Sequence, residues 1–215
     1  MNVLNPPAVE FDHPLDYHDE INARADRVRL LFIPEHRYLM IDGTGAPGGP
    51  AFAGAMASLY PVAYTLHFAL KKRGLEAPVG ALEGLYWVGT PGPISPQEFA
   101  APDLAGLWEW RLLLPVPTVA EDADVAGAIS QVRERKSPPT IDQLHVERWT
   151  EGPVAQVMHV GPYDAEAPTI EALHAAIAAR GLRPRDCHHE IYISDPNRTA
   201  AARLKTVIRQ PVERE

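Results

Sequence analysis

The sequence predicts an α+β fold built from two strand–helix–strand–strand units, with pseudo-two-fold symmetry and a central cleft between antiparallel sheets. One observation is that strand-like and helix-like segments occur in the same order twice along the 215 residues. A second is that glycine and proline end the matching segments in both halves, and a repeat of this length indicates internal duplication. The third is composition: 46% hydrophobic and 22% charged residues are typical of a globular protein with a buried core.

The first unit is predicted over residues 37–117. Pro61 interrupts its helical segment, so we expect a kink or a break there, because proline lacks the N–H that a helix interior needs. The predicted elements are a strand over residues 37–41, a helix over 51–73 that ends at Gly74, strands over 81–88 and 108–114, and a proline-rich loop over 90–106 between them.

The second unit is predicted over residues 148–213. Its elements are strands over residues 154–160, 188–194 and 205–210, and a helix over 169–180 that ends at Gly181. The two units match at the glycines and prolines that end their strands and helices, and have little other sequence identity. The matched pairs are Gly43 with Gly161, Gly74 with Gly181, Tyr86 with Tyr192, and Pro115 with Pro211.

The remaining segments complete a single domain over residues 28–213. A connector over residues 118–147 is charged and rich in alanine, which predicts a helix followed by a strand that leads into the second unit. Residues 1–27 are polar and contain three prolines, so we interpret them as an N-terminal arm. Nothing in the sequence predicts the oligomeric state.

Charge and composition narrow the class of partner. The net charge of −8 argues against a nucleic-acid surface, which needs a concentrated excess of lysine and arginine. No apolar run approaches the length of a membrane span, and no signal peptide is visible at the N-terminus. With Cys187 as the single cysteine, we expect a cytoplasmic protein whose partner is a small molecule.

Strand alternation sorts the candidate site residues by face. Ile191 and Ile193 share one face of their strand, which we expect to pack on the helix. Glu190 and Tyr192 share the opposite face with His188, and this face is predicted to line the cleft. Matching Tyr86 with Tyr192 places Gly84 at the position of Glu190, so that one half offers a carboxylate and the other a gap that leaves room for a ligand.

Aromatic residues accompany this carboxylate. Trp108 and Trp110 lie on one face of their strand, and Glu109 and Arg111 on the other, so one of these pairs is expected to face the cleft. An aromatic wall beside a carboxylate suits a flat or cationic ligand. The structural alternatives are a solvated glutamate and a core made of the tryptophans. Tyr60 and Tyr64 share a helix face with His67 close to it, and this spacing favours a mixed core.

Two chemical motifs are set aside. Residues 43–48 match G-x-G-x-x-G, but two prolines delay the helix and no acidic residue follows a second strand, so we expect no nucleotide cofactor. Cys187, His188 and His189 are consecutive in a strand and point to opposite faces, so we expect no metal site.

The sequence resembles the GyrI-like small-molecule-binding family, whose fold also forms the effector domain of AraC- and MerR-type multidrug regulators. The resemblance extends over residues 28–212, and within the family the sequence is most similar to the free-standing branch. The segments that carry it are Arg37-Tyr38-Leu39-Met40-Ile41-Asp42-Gly43, Leu59-Tyr60 through Tyr64, Leu82-Glu83-Gly84-Leu85-Tyr86-Trp87, Trp108-Glu109-Trp110, residues 159–166, Leu173-His174, residues 188–192, residues 195–198 and residues 205–211.

The resemblance implies a duplicated fold with a central pocket in which Glu190 is the pocket glutamate. One hypothesis is that the pocket binds a small, flat, apolar or cationic molecule. Its candidate ligand-binding residues are Glu190, Trp87, Tyr86, Trp108, Trp110, Tyr64, His67 and Tyr163. The alternative, also implied by the resemblance, is a hydrolase that opens cyclopropane-containing genotoxic compounds. Its candidate catalytic residues are Glu190, which would activate water, Tyr192 and Tyr163.

Overall fold

The computed structural model describes residues 9–99, 101 and 106–215. The first eight residues of the expected arm, and residues 100 and 102–105 of the expected loop, lie outside this description. The described elements are α1 (Tyr17–Glu20), β1 (Arg29–Thr44), α2 (Pro50–Lys72), β2 (Leu82–Val88), α3 (Pro96–Phe99), β3 (Trp108–Pro115), α4 (Asp122–Lys136), β4 (His145–Val160), α5 (Ala167–Ala178), β5 (Leu182–Pro184), β6 (His188–Tyr192) and β7 (Lys205–Arg214).

Six of the strands close into a single antiparallel ring. Their order is β4-β1-β3-β2-β6-β7, and β7 also pairs with β4, which completes the circle. The short strand β5 pairs with the end of β7. The predicted α+β class is confirmed, although the two expected sheets are joined into one ring instead of facing each other across a cleft. Closure satisfies the backbone hydrogen bonds that open sheet edges would leave unpaired.

Equivalent hydrogen bonds show how the two units correspond. The Gly45 N–H donates to the Trp108 carbonyl at 2.7 Å, and the Gly161 N–H donates to the Leu204 carbonyl at 3.0 Å. Both glycines have positive φ, 96° and 150°, at the turn that ends the first strand of each unit. The equivalent of Gly161 is therefore Gly45, two residues beyond the Gly43 that the sequence pattern suggests.

Several elements extend beyond their predicted bounds. The strand predicted at residues 37–41 begins at Arg29, and the strands expected on either side of residue 150 form one strand, β4. Helix α2 continues through Pro61 without a break. Its buried face, which includes Leu59, Val62 and Leu66, packs on the sheet over several turns, and this packing outweighs the single backbone hydrogen bond that proline removes.

The helices cover the outer surface of the ring. Helix α2 packs on the face of β1 and β3 that carries Leu39, Ile41 and Leu112, and α4 packs beside α2. Helix α5 covers the equivalent face of the second unit over Ala155 and Ile208. None of the helices within the described ranges is long and apolar enough to cross a membrane.

The interior of the ring contains buried charges. The His189 ring contacts Glu83 through Nε2 at 3.0 Å and Glu151 through Nδ1 at 2.8 Å, and the Arg209 guanidinium donates to Glu151 at 2.9 Å. Burial alone would lower the pKa of His189, but the charges of Glu151 and Glu83 raise it to about 9. Two cations therefore balance two carboxylates, as burial of charge requires.

Candidate functional site

A cavity of about 890 Å³ lies where the two units meet on the helix side of the ring. This volume is within the range of about 300–1,000 Å³ that is usual for small-molecule sites. Strands β2 and β6 form its floor, α2 forms one wall, and the turns that follow β4 and β6 form its rim. Its principal lining residues are Ile21, Phe52, Met56, Tyr60, Tyr64, Leu82, Tyr86, Phe99, Trp108, Tyr163, Glu166, Glu190, Tyr192, Ile193 and Asp195.

A chain of hydrogen bonds runs along the cavity floor. The Tyr192 hydroxyl donates to Glu190 Oε2 at 2.8 Å, and the Tyr86 and Tyr192 hydroxyls are hydrogen-bonded to each other. Because Tyr192 has one hydroxyl proton, which it gives to Glu190, Tyr86 is the donor in that second bond. His188 Nε2 lies 3.2 Å from Glu190 Oε1, and the N–H on this nitrogen donates to the carboxylate, so that both Glu190 oxygens accept a hydrogen bond. The Glu190 oxygens are thus held in a fixed direction.

A second carboxyl group, Glu166, borders the cavity beside Glu190. It lies immediately before α5 and is 1% exposed. Burial, followed by the charge of Glu190, raises the pKa of Glu166 to about 9. Its Oε1 atom is buried without a hydrogen-bond partner among the described residues. At neutral pH the site therefore contains a protonated carboxyl group next to Glu190.

Helix α5 carries a neutral histidine, His174, within electrostatic range of His188. Burial, followed by the charge of His188, lowers the pKa of His174 to about 4. The His174 ring is therefore uncharged at neutral pH, and its Nε2 atom has no partner among the described residues.

Aromatic side chains form the walls. Tyr60 and Tyr64 stack along α2 with ring centroids 6.3 Å apart. At the rim the Tyr163 ring meets Tyr192 edge to face at 5.7 Å. Trp108 lies against Tyr86 at 6.3 Å, also edge to face. Flat walls of this kind fit a flat ligand and attract positive charge.

Six of the residues singled out from the sequence line this cavity. They are Glu190, Tyr192, Tyr163, Tyr86, Trp108 and Tyr64. Sequence reasoning missed Glu166, Phe52, Met56, Tyr60 as a lining residue, Phe99 and Ile21. The i, i+4 spacing of residues 52, 56, 60 and 64 along one helix could have revealed the α2 wall. No periodic pattern marks Glu166, since it lies alone between a short 3-10 helix, Tyr163–Ala165, and the start of α5.

Three expected ligand-binding residues lie elsewhere. The Trp110 indole covers Gly43, where a Cβ would lie 2.1 Å from Trp110 Cη2, and its Nε1–H donates to the Gly45 carbonyl at 3.1 Å. Trp110 is therefore a core residue, held by the space that a glycine leaves. Trp87 points to the other face of β2 and packs against the cluster that contains Tyr38, Met40 and Leu113. His67 donates from Nδ1 to the Ala77 carbonyl at 2.6 Å, outside the cavity.

Two expectations about the strand faces are wrong. The helix side of β6 carries Glu190 and Tyr192, whereas Ile191 shares the ring-interior face with His189. Ile193 lies beyond the end of the strand and joins the cavity rim. The alternation itself holds, but in a closed ring both faces are covered, so apolar character alone cannot tell which face meets a helix.

The gap expected at Gly84 does not remain open. A Cβ on Gly84 would lie 2.7 Å from the Tyr86 hydroxyl oxygen, so the Tyr86 side chain fills the space beside this glycine. The space for a ligand lies instead between the cavity floor and helix α2, where aromatic side chains line the cavity.

Comparison with known proteins agrees with this architecture. Residues 119–213 match the family model of the GyrI-like small molecule binding domain. A structure of a hydrolase from Listeria innocua is 28% identical with a TM-score of 0.76, covering 91% of this chain and 96% of the other. An uncharacterized conserved protein from the same organism is 28% identical with a TM-score of 0.80, covering 92% and 97%.

A more distant structure shows only a shared fold. The C-terminal domain of EcmrR is 15% identical with a TM-score of 0.54, and the match covers 88% of this chain and 98% of that domain. No curated protein matches the sequence. The resemblance noted from the sequence is confirmed over the second unit and the connector before it, where residues 119–213 match the model of the GyrI-like small molecule binding domain.

Proposed function

We propose that the cavity binds a flat, largely apolar molecule that carries positive charge, and that Glu190 and Glu166 provide the complementary charge. The observation that carries this proposal is the pairing of two carboxyl groups at one end of an aromatic-walled cavity. Stacking on the α2 tyrosines and Trp108 would supply area, and the carboxyl groups would select for charge. The match of residues 119–213 to the GyrI-like small molecule binding domain supports this proposal.

Two dyes of similar flatness test the role of charge: rhodamine 6G, which is a cation, and Nile red, which is neutral. Because removing the charge of Glu190 lets Glu166 ionise more readily, the informative variant is the double substitution Glu166→Gln and Glu190→Gln. We expect its affinity for rhodamine 6G to fall about tenfold or more, about 1.4 kcal/mol, while Nile red changes little. Fluorescence anisotropy gives both dissociation constants.

The control variant neutralises a carboxylate that lies outside the cavity. Glu171 lies on the exposed face of α5, so Glu171→Gln changes the net charge without touching the site. It should bind both dyes like the wild type. Equal weakening of the cation and the neutral dye in the double variant would contradict a role for these carboxyl groups in charge recognition.

A second candidate function is hydrolysis of a strained, activated ring. Two observations favour it: the cavity pairs a protonated carboxyl group with a second carboxyl group, and a 28% identical structure is that of a hydrolase. In a spirocyclopropyl dienone, water would attack a ring CH₂ and pass its proton to Glu190. The ring C–C bond would break towards the dienone, and Glu166 would protonate the resulting phenolate oxygen, so that atoms and charge balance.

The rate of ring opening distinguishes this second candidate from simple binding. We expect wild-type protein to consume a spirocyclopropyl cyclohexadienone faster than buffer alone, and Glu190→Gln to lose about 100-fold of that rate. Absorbance of the dienone follows the reaction. Decay at the buffer rate in the presence of wild-type protein, when the compound is bound, would leave binding as the function and exclude this hydrolysis.

A further inference from the structure

The N-terminal segment over residues 9–28 is fastened across the ring. We call it the strap. Its first part packs Val9 and Phe11 against the second-unit core, and the backbone of Asp12 bonds to β1 at Leu30 and Phe32. These contacts bring the chain to α1, at the side of the cavity.

The middle of the strap is tied to the buried charges of the ring interior. The Tyr17 hydroxyl donates to Glu83 Oε1 at 2.8 Å. The Glu20 carbonyl accepts from Gln156 at 2.6 Å and from Arg209 at 3.3 Å. Glu20 is 2% exposed, and its carboxylate lies 2.7 Å from His36 Nε2. Releasing the strap would leave several buried polar groups without partners, which is costly.

Contacts on the far side of the same turn complete the attachment. Arg29 donates to the carbonyls of Asp19 at 2.8 Å and Asn22 at 3.4 Å. The Met158 N–H donates to the Arg24 carbonyl at 3.1 Å. The backbone is therefore held both before and after Ile21, the strap residue that lines the cavity.

We propose that the strap is a fixed wall of the ligand cavity and that Ile21 is a specificity-determining residue at that end. This inference rests on the proposed function, since it concerns the ligand that the cavity binds. Its physical basis is that a side chain on an anchored backbone cannot move away from a bulky ligand, so its size sets the length of ligand that fits. On these contacts, residues 9–28 pack as part of the folded domain.

Substitutions of differing size at Ile21 test this inference with rhodamine 6G. Ile21→Trp fills that end of the cavity and is expected to weaken binding about tenfold or more. Ile21→Ala opens it and is expected to change affinity by about threefold or less, while admitting a rhodamine enlarged by a bulky ester that the wild type binds poorly. Leu15 is the matched control, because it lies on the strap but is 93% exposed, so Leu15→Trp should bind like the wild type.

Hydrogen exchange on full-length protein adds a readout that does not depend on how the variants fold. Saturating rhodamine 6G should slow exchange of the amides of residues 20–24 in the wild type. If the dye binds but Ile21→Trp and Ile21→Ala bind both rhodamines like the wild type, and strap exchange is unchanged, the inference is wrong while the proposed function stands. If the wild type binds neither rhodamine 6G nor Nile red, the proposed function is wrong, and the inference that rests on it is wrong as well.

Discussion

Gly84 and Glu190 are direct cross-strand partners, and they occupy equivalent positions in the two units. The same relation pairs Leu82 with Tyr192 and Tyr86 with His188, so Gly84 and Glu190 lie on the pseudo-two-fold axis. At this point the symmetry of the backbone is kept and that of the side chains is broken. The glycine makes room for Tyr86, whose hydroxyl then supports Tyr192 and, through it, Glu190.

Gly84→Ala is therefore expected to disturb the site more than its one added methyl group suggests. The new Cβ would displace the Tyr86 ring and break its bond to Tyr192. We expect a loss of about 1–3 kcal/mol in the free energy of unfolding and about tenfold weaker dye binding. Urea denaturation and dye titration measure the two effects. Gly127→Ala on α4 is the control, since a Cβ there meets nothing within 4 Å, and unchanged affinity in Gly84→Ala would refute the role of the glycine.

Trp108 and Trp110 should separate binding from stability. Trp108→Phe removes area from the cavity wall and is expected to weaken binding of both dyes about three- to tenfold. Trp110→Phe leaves a void over Gly43 and an unpaired Gly45 carbonyl, so we expect a loss of about 1–3 kcal/mol in stability with little change in affinity. Parallel denaturation and titration check both. The prediction fails if the two variants show the same profile.

Cation binding should depend on pH through Glu166. The pKa of about 9 means that this group is protonated at neutral pH, and a bound cation favours its ionised form. Affinity for rhodamine 6G is therefore expected to rise between pH 7 and about 9.5, and Glu166→Gln should flatten this rise. Nile red provides the neutral comparison at each pH. A pH dependence that persists in Glu166→Gln would assign it to another group.

The buried His189 should make the free energy of unfolding fall as the pH rises, because its pKa is raised in the folded state. Its pKa in the folded state is about 9, against 6.5 for the ordinary side chain. Its contribution is complete below pH 6.5 and is lost as the pH rises through 9, and its upper limit is roughly 3 kcal/mol. Urea denaturation of wild type and His189→Gln at pH 6, 8 and 10 measures the difference.

Two results would confirm or refute that linkage. The stability gap between wild type and His189→Gln should narrow as the pH rises, while His18→Gln, at an exposed position, should show no such trend. A gap that stays constant from pH 6 to 10 would mean that His189 contributes only by packing.

The sequence alone determined what local patterns encode. Alternation placed Glu190 with Tyr192 and separated His188 from His189, because successive side chains of a strand point to opposite faces whatever the fold around them. Repeated glycines and prolines revealed two units, since these residues end strands and helices through their own backbone preferences. Even there, the equivalent of Gly161 was misplaced by two residues, because a spacing cannot show which hydrogen bonds repeat.

Only the tertiary structure decided which covered face holds the ligand cavity. In the closed ring, Ile191 and Trp87 lie on the interior face, away from the cavity. The Trp110 ring packs in the core, in the space that Gly43 leaves. Glu166 and Ile21 reach the cavity from segments far apart in the chain, without any periodic signal. Strand pairing over long sequence separations brings these groups together, and a local pattern contains no information about such contacts.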